Sequence, residues 1–213
     1  MSDIFREIDE ELRRDNLLKL WKQYGRYVIA AAVVVMLIAG GIVAWRNHQL
    51  SLRQAQSERY QAALALLQQG KDAEAAKIFT TVGTEGGAYG QLAAFEAADL
   101  SARSGDVKGA IAAYDKLAAS TDLAPELRDA ATLLSIMNGF ADSDPQTIID
   151  RLKPLAGGDS PWRGTALDLT AAAKLKAGDQ TGALDIYKQL AADTAGPEGL
   201  RERAAEMAAI LKP

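Results

Sequence analysis

Two hydrophobic patterns divide the chain. From Val28 to Trp45 run 18 residues without a charge, whereas later apolar residues recur three and four apart between glycines and prolines. As a helix the first stretch spans about 27 Å, close to the ~30 Å hydrocarbon core of a bilayer. It has no polar stripe, which a helix on a globular core would carry. Trp21, Tyr24 and Tyr27 lie at one end and Trp45 at the other, where amphipathic rings settle at membrane interfaces. The pattern predicts one membrane span over residues 27–45. A cleaved export signal has an apolar region of ~7–15 residues and a small-x-small site. Here 26 residues precede the span and "WRNHQL" closes it, so an uncleaved signal-anchor is expected.

Charge sets the orientation. Arg13, Arg14, Lys19, Lys22 and Arg26 precede the span, and over a similar distance only Arg46 and Arg53 follow it. The positive-inside rule then places residues 1–26 in the cytoplasm and 46–213 in the periplasm of a bacterium. Residues 1–26 carry six basic and six acidic side chains, with Ile4, Phe5, Ile8 and Leu12 on one helical face. That segment reads as an amphipathic helix on the membrane surface or as a docking helix for a cytoplasmic partner.

Beyond the span the helical pattern repeats. "GKDAEAAKIF", "GDVKGAIAAY" and "GDQTGALDIY" each hold a glycine (Gly70, Gly105, Gly178) and an alanine five residues on (Ala75, Ala110, Ala183). An aromatic follows four further (Phe79, Tyr114, Tyr187). The glycines are 35 and 73 residues apart, which leaves room for one more unit between the last two. Glycine ends one helix in a left-handed conformation, and an acid just after it favours the next helix start. The alanine marks the close crossing of paired helices, and the aromatic fills the space one turn later.

This pattern resembles the second-helix half of a tetratricopeptide repeat. The first-helix halves depart from it, with Tyr60 and Phe95 at large-residue positions. Between Gly105 and Gly178, Gly139 falls in step, but "FADSDPQTIIDRLKPL" does not keep the alanine and aromatic register. Pro125, Pro145, Pro161 and Pro197 are expected to open helices, with Asp144 and Ser160 as N-caps. The final run "PEGLRERAAEMAAIL" suits a capping helix. The expected fold is all-α: one N-terminal transmembrane helix, continuous into a tetratricopeptide-like α-solenoid of about four helical pairs, and a C-terminal cap.

Composition narrows the chemistry. Much of the 48% hydrophobic content is alanine and only 6% is aromatic, which favours helices packed closely on small side chains. A net charge of −4 disfavours a nucleic-acid partner, and the absence of cysteine excludes disulfides, thiolate metal sites and cysteine nucleophiles. His48 is the sole histidine and stands at the membrane interface, with no second ligand to complete a zinc site. There is no phosphate-binding glycine loop and no nucleophile elbow; "GTEGGAYG" reads as a loop between repeats. The expectation is a non-enzymatic protein with no cofactor and no metal. An enzyme would need titratable residues converging in one pocket.

Stacked helical pairs offer a groove to peptides. In the repeat register Tyr60, Phe95, Asp99, Arg103, Asp168 and Lys176 face that groove, or Tyr60 and Phe95 belong to the core. Within the span, Gly40 and Ala44 form a small-xxx-small pair for another membrane helix.

The whole arrangement, with "SPWRGTALDL" at Ser160–Leu169 and the "GPEGLRERAAEM" ending, resembles the YfgM-type ancillary subunit of the bacterial Sec translocon. That resemblance implies an inner-membrane protein that associates with the SecYEG channel. It implies that the periplasmic repeats work with periplasmic chaperones on newly translocated client polypeptides. The alternative is a membrane-anchored repeat scaffold for a different envelope complex, in division or cytochrome maturation.

Overall fold

The computed structural model describes residues 2–157 and 160–212, which form nine α-helices and no strand. They are α1 (Ser2–Gln68), α2 (Asp72–Gly83), α3 (Gly87–Arg103), α4 (Val107–Ala118) and α5 (Pro125–Gly139). After them come α6 (Pro145–Ala156), α7 (Arg163–Lys176), α8 (Gln180–Ala192) and α9 (Glu198–Ile210). The chain divides into two units, Met1–Ala55 and Gln56–Pro213.

The first unit is helix alone. No glycine–proline break interrupts the sequence from the apolar stretch onward, so α1 continues past it. Val35, Met36, Leu37 and Trp45 are each more than 60% exposed, far more apolar surface than a helix in water tolerates. Among the described residues one helical segment, beginning at Val33, is long and apolar enough to cross a membrane, and its most apolar window is wholly unburied. The side chains of Ile4, Phe5, Ile8 and Leu12 lie outside the described residues.

The second unit is a solenoid of four helical pairs with α9 as its end. The last turns of α1 pair with α2, then α3 with α4, α5 with α6, and α7 with α8. Three of the turns inside the pairs share one geometry. Gly70, Gly105 and Gly178 have φ of +72°, +92° and +85°. In the first, Lys71 N–H bonds the Leu66 carbonyl at 2.9 Å and Gly70 N–H bonds the Leu67 carbonyl at 2.9 Å; the other two repeat it. This double bond satisfies carbonyls left open at a helix end, and only glycine adopts that φ without strain. Asp106 and Asp179 then cap α4 and α8 by accepting from the backbone N–H of Gly109 and Gly182. Lys71 takes that place before α2 and makes no side-chain cap.

The pairs close on alanine. Ala75, Ala110 and Ala183 have no exposed surface, and Phe79, Tyr114 and Tyr187 are at most 3% exposed. Each alanine meets a counterpart seven residues before its glycine, Ala63, Ala98 or Ala171, inside the same apolar cluster. Full burial of a side chain such as Phe79 stabilises the fold by about 1.5–3 kcal/mol.

The third unit corrects the expected register. Measured from its N-cap Asp144, whose carboxylate accepts from Thr147 N–H, the four-and-eight spacing persists. Ile148 and Leu152 occupy the alanine and aromatic positions, 1% and 0% exposed, and Ile136 stands where the other first helices carry alanine. Two isoleucines at the crossing hold the backbones apart, and α5 and α6 are the least intimately packed of the neighbouring helices from α2 onward. Gly139 is helical here and does not make the left-handed turn.

The prolines also differ in detail. Pro125 and Pro145 open α5 and α6, but Pro161 precedes α7 by a turn and Pro197 is itself the N-cap residue of α9. Ser160 does not cap α7; its hydroxyl donates to Asp129 at 2.7 Å and accepts from Trp162 N–H. Most of "GTEGGAYG" is helical: only Thr84–Gly86 separate α2 from α3, and a Cβ at Gly90 would lie 3.1 Å from the Val82 carbonyl oxygen.

Candidate protein-binding face

Polar contacts one repeat apart sort the helices into two layers. Tyr60 of α1 donates to Glu96 of α3 at 3.5 Å, and Trp162 at the start of α7 donates from its indole to the Glu126 carbonyl of α5 at 2.8 Å. Arg203 of α9 bonds Asp168 of α7 at 2.9 Å. These rungs join first helices. Arg151 of α6 reaches Asp115 of α4 at 2.6 Å and Ser135 of α5 at 3.1 Å, tying the second-helix layer across the loosely packed pair. Exposed ion pairs of this kind stabilise weakly, and their recurrence serves chiefly to fix register.

Of the residues singled out by the repeat register, Tyr60 belongs to a buried apolar cluster and Phe95 packs against another, which is the core alternative for both. Tyr60 is 9% exposed and packs edge-on to Phe79, ring centroids 5.3 Å apart, with Tyr89 at 5.7 Å. Phe95 is partly buried against Tyr114 at 6.1 Å. Asp99 and Arg103 are exposed and form an i,i+4 pair, and Arg103 also bonds Asp72 at 2.9 Å. Asp168 is held by Arg203. Lys176 reaches back one unit and donates to the carbonyls of Phe140, Ala141 and Ser143 at 2.7–2.8 Å. It thus caps the end of α5, where no left-handed glycine does so. Leu92, Phe95, Asp99 and Arg103 follow a three-four-four spacing and share one stripe of α3.

The electrostatics of this layer come from acids set beside buried phenols. Burial, then Asp99 and Glu96, push the Tyr114 hydroxyl up to about 12. Burial, then Glu96, raise Tyr60; burial, then Asp168, raise Tyr187, against a smaller opposing effect of Arg203. All three stay neutral donors at physiological pH. At the edge of the layer Arg59 bonds Glu85 and holds its carboxyl below the usual range.

Gly40, Ala44 and His48 lie in the first unit, exposed, and a Cβ on Gly40 would meet nothing within 4 Å. Three residues escaped the sequence reading. Leu92 and Met137, on α3 and α5, are 48% and 52% exposed. Arg203 pairs with Asp168 exactly one period away, a spacing visible only once α9 is read as a first helix. Among the described residues no three His, Cys, Asp or Glu gather as a metal site would require.

Layers of paired helices with an exposed, mixed polar–apolar face define a helical-repeat protein built for protein–protein interaction. Comparison makes this specific. The tetratricopeptide repeat-like domain family matches residues 19–138, and the chain belongs to that family. Two solved structures share the fold: the nearly identical TPR-like repeats of a Podosopora anserina protein described as a kinesin light chain, and a single-substitution variant of it. The variant superposes with a TM-score of 0.57 and the parent with 0.55. Each is 17% identical, covering 73% of this chain and 84% of that one. No curated protein sequence matches the chain significantly.

Proposed function

We propose that this chain is a single-span, membrane-tethered scaffold that receives newly translocated polypeptides beside the Sec translocon and passes them to periplasmic chaperones. Residues 1–26 lie in the cytoplasm, 27–45 cross the inner membrane and 46–213 stand in the periplasm. The protein acts by binding, without a catalytic step.

One observation carries the reading: a single chain joins an exposed apolar helix to a tetratricopeptide-like array. The excess of Lys and Arg before the apolar stretch supports the orientation, and the resemblance to YfgM-type subunits supports the translocon as the partner. Tethering supplies the mechanism. A face held at a channel exit meets emerging chains at an effective concentration that short tethers raise to the millimolar range, so weak contacts suffice. Gly40 and Ala44 offer the membrane contact with SecYEG. The groove candidates Asp99, Arg103 and Asp168, with Leu92 and Met137, offer the client contact.

Pull-down of the full-length tagged chain in mild detergent tests this, beside a version whose span is replaced by an unrelated apolar helix. Recovery of SecY and periplasmic chaperones, with SecY lost in the replacement, is the expected result. Recovery of another envelope complex without Sec components would transfer the scaffold to division or cytochrome maturation.

A further inference from the structure

Counting from the crossing residues Ala63, Ala98, Ile136 and Ala171 puts the first helices of the four pairs in one register. Leu92 and Glu96 lie six and two residues before Ala98, and Asp99 and Met137 directly follow Ala98 and Ile136. Leu92, Glu96 and Asp99 stand at i, i+4 and i+7, one face of α3, and Met137 holds the position of Asp99 on α5. Leu92 and Met137 are about half exposed. Across these three positions in the four pairs, Glu96 and Asp99 are the sole charged residues. The middle of this face is apolar and acidic, and it holds no base.

The two carboxylates are weakly compensated. Tyr60, a neutral donor, reaches Glu96 at 3.5 Å. Arg103 bonds Asp72 at 2.9 Å and lies 3.9 Å from Asp99, so its charge is drawn to the edge of the face. Two phenols report the contrast between units, since Tyr114 and Tyr187 each lie nine residues after their glycine. Burial, then Asp168, raise Tyr187 against an opposing Arg203. Burial, then Asp99 and Glu96, all push Tyr114 upward. The acids of α3 thus act on their surroundings as net negative charge, whereas the acid of α7 is balanced by a neighbouring guanidinium.

We propose that the α3–α5 face selects extended client segments in which a lysine or arginine stands two residues from a large apolar side chain. The apolar side chain covers Leu92 or Met137, and the cation meets Glu96 and Asp99. Side chains two apart on an extended chain point the same way and lie about 7 Å apart. That approaches the helical turn of about 5.4 Å that separates Leu92 from Glu96. This selectivity rests on the reading of the first-helix face as the client contact.

The test follows fluorescence anisotropy of labelled peptides with the full chain in nanodiscs of zwitterionic lipid, with empty nanodiscs as the blank. Three peptides share one pattern of leucines and carry lysine, glutamine or glutamate two residues from each. Exposed charge pairs are individually weak, so lysine should bind about three- to tenfold more tightly than glutamine, and glutamate more weakly than both. The preference should disappear in the double variant Glu96→Gln, Asp99→Asn, and should shrink at 1 M salt, where the Debye length is about 3 Å. Asp185→Asn, exposed on α8, should leave it intact. Leu92→Ser should weaken all three peptides alike. Binding without a lysine preference, or a preference that survives the double substitution, would overturn the inference and leave the face a client contact. No binding of any peptide would overturn both.

Discussion

Replacing Ala110 by leucine tests the packing logic at its tightest point. Ala110 has no exposed surface, and it shares a cluster with Ala98 of the facing helix and with Tyr114. Leucine adds three carbons where two alanines already set the helix spacing. Either α3 and α4 separate, as α5 and α6 do around Ile136 and Ile148, or side chains leave their preferred rotamers. Overpacking of this kind costs about 1–3 kcal/mol. At about 2–4 °C per kcal/mol for a unit of this size, the thermal midpoint should fall by about 2–12 °C. The control is Ala112→Leu, two residues away and exposed, where a surface change stays within about 0.5 kcal/mol. Far-UV circular dichroism of the full chain in detergent reads both. Equal midpoints for the two variants would refute the claim that an alanine–alanine crossing limits the pair.

Ile148→Ala should act in the opposite sense at the equivalent position, opening a cavity between α5 and α6 and costing about 2–5 kcal/mol by chemical denaturation. Lys176→Met removes three bonds to the end of α5 from an exposed lysine; a loss of about 1 kcal/mol is expected, with faster amide exchange at Phe140–Ser143. Asp144 and Asp179 both titrate below the usual carboxylate range. The main cause is the Thr147 backbone N–H for the first and Lys174 for the second. A depressed folded value means their contribution is complete above the unfolded value near 4 and is lost as pH falls through the lower folded one. The midpoint should therefore drop below about pH 4, and the double variant Asp144→Asn, Asp179→Asn, which keeps capping side chains, should show a flatter decline in that window.

Most of the repeat architecture was legible because it rests on local rules. A left-handed turn requires glycine, a close crossing requires alanine, and both leave fixed spacings in the sequence. The first-helix alanines Ala63, Ala98 and Ala171 obey the same rule, but alanine is so abundant here that their spacing hides among the rest. The third unit was misread because Gly139 falls at the right distance and has the wrong conformation. The better anchor is Asp144, since a helix N-cap fixes the register of everything after it, and from there Ile148 and Leu152 fall into place. Pro161 fits a helix start equally well in sequence; the Ser160–Asp129 and Trp162–Glu126 bonds that hold its turn away from α7 come from residues 31 and 36 positions earlier. Lys176 illustrates the limit of such reading, because its three acceptors are carbonyls, which every residue possesses.

The central claim, that the first-helix face meets client chains at a membrane channel, is tested most directly by photocrosslinking in living cells. A photoreactive residue would replace Met137 or Leu92 in the full chain, with Lys116 on α4 as an exposed control. Adducts with exported polypeptides and with SecY that form at Met137 and Leu92 only while export runs, and not at Lys116, are the result this account predicts. Adducts that are absent, or equal at all three positions, would contradict it.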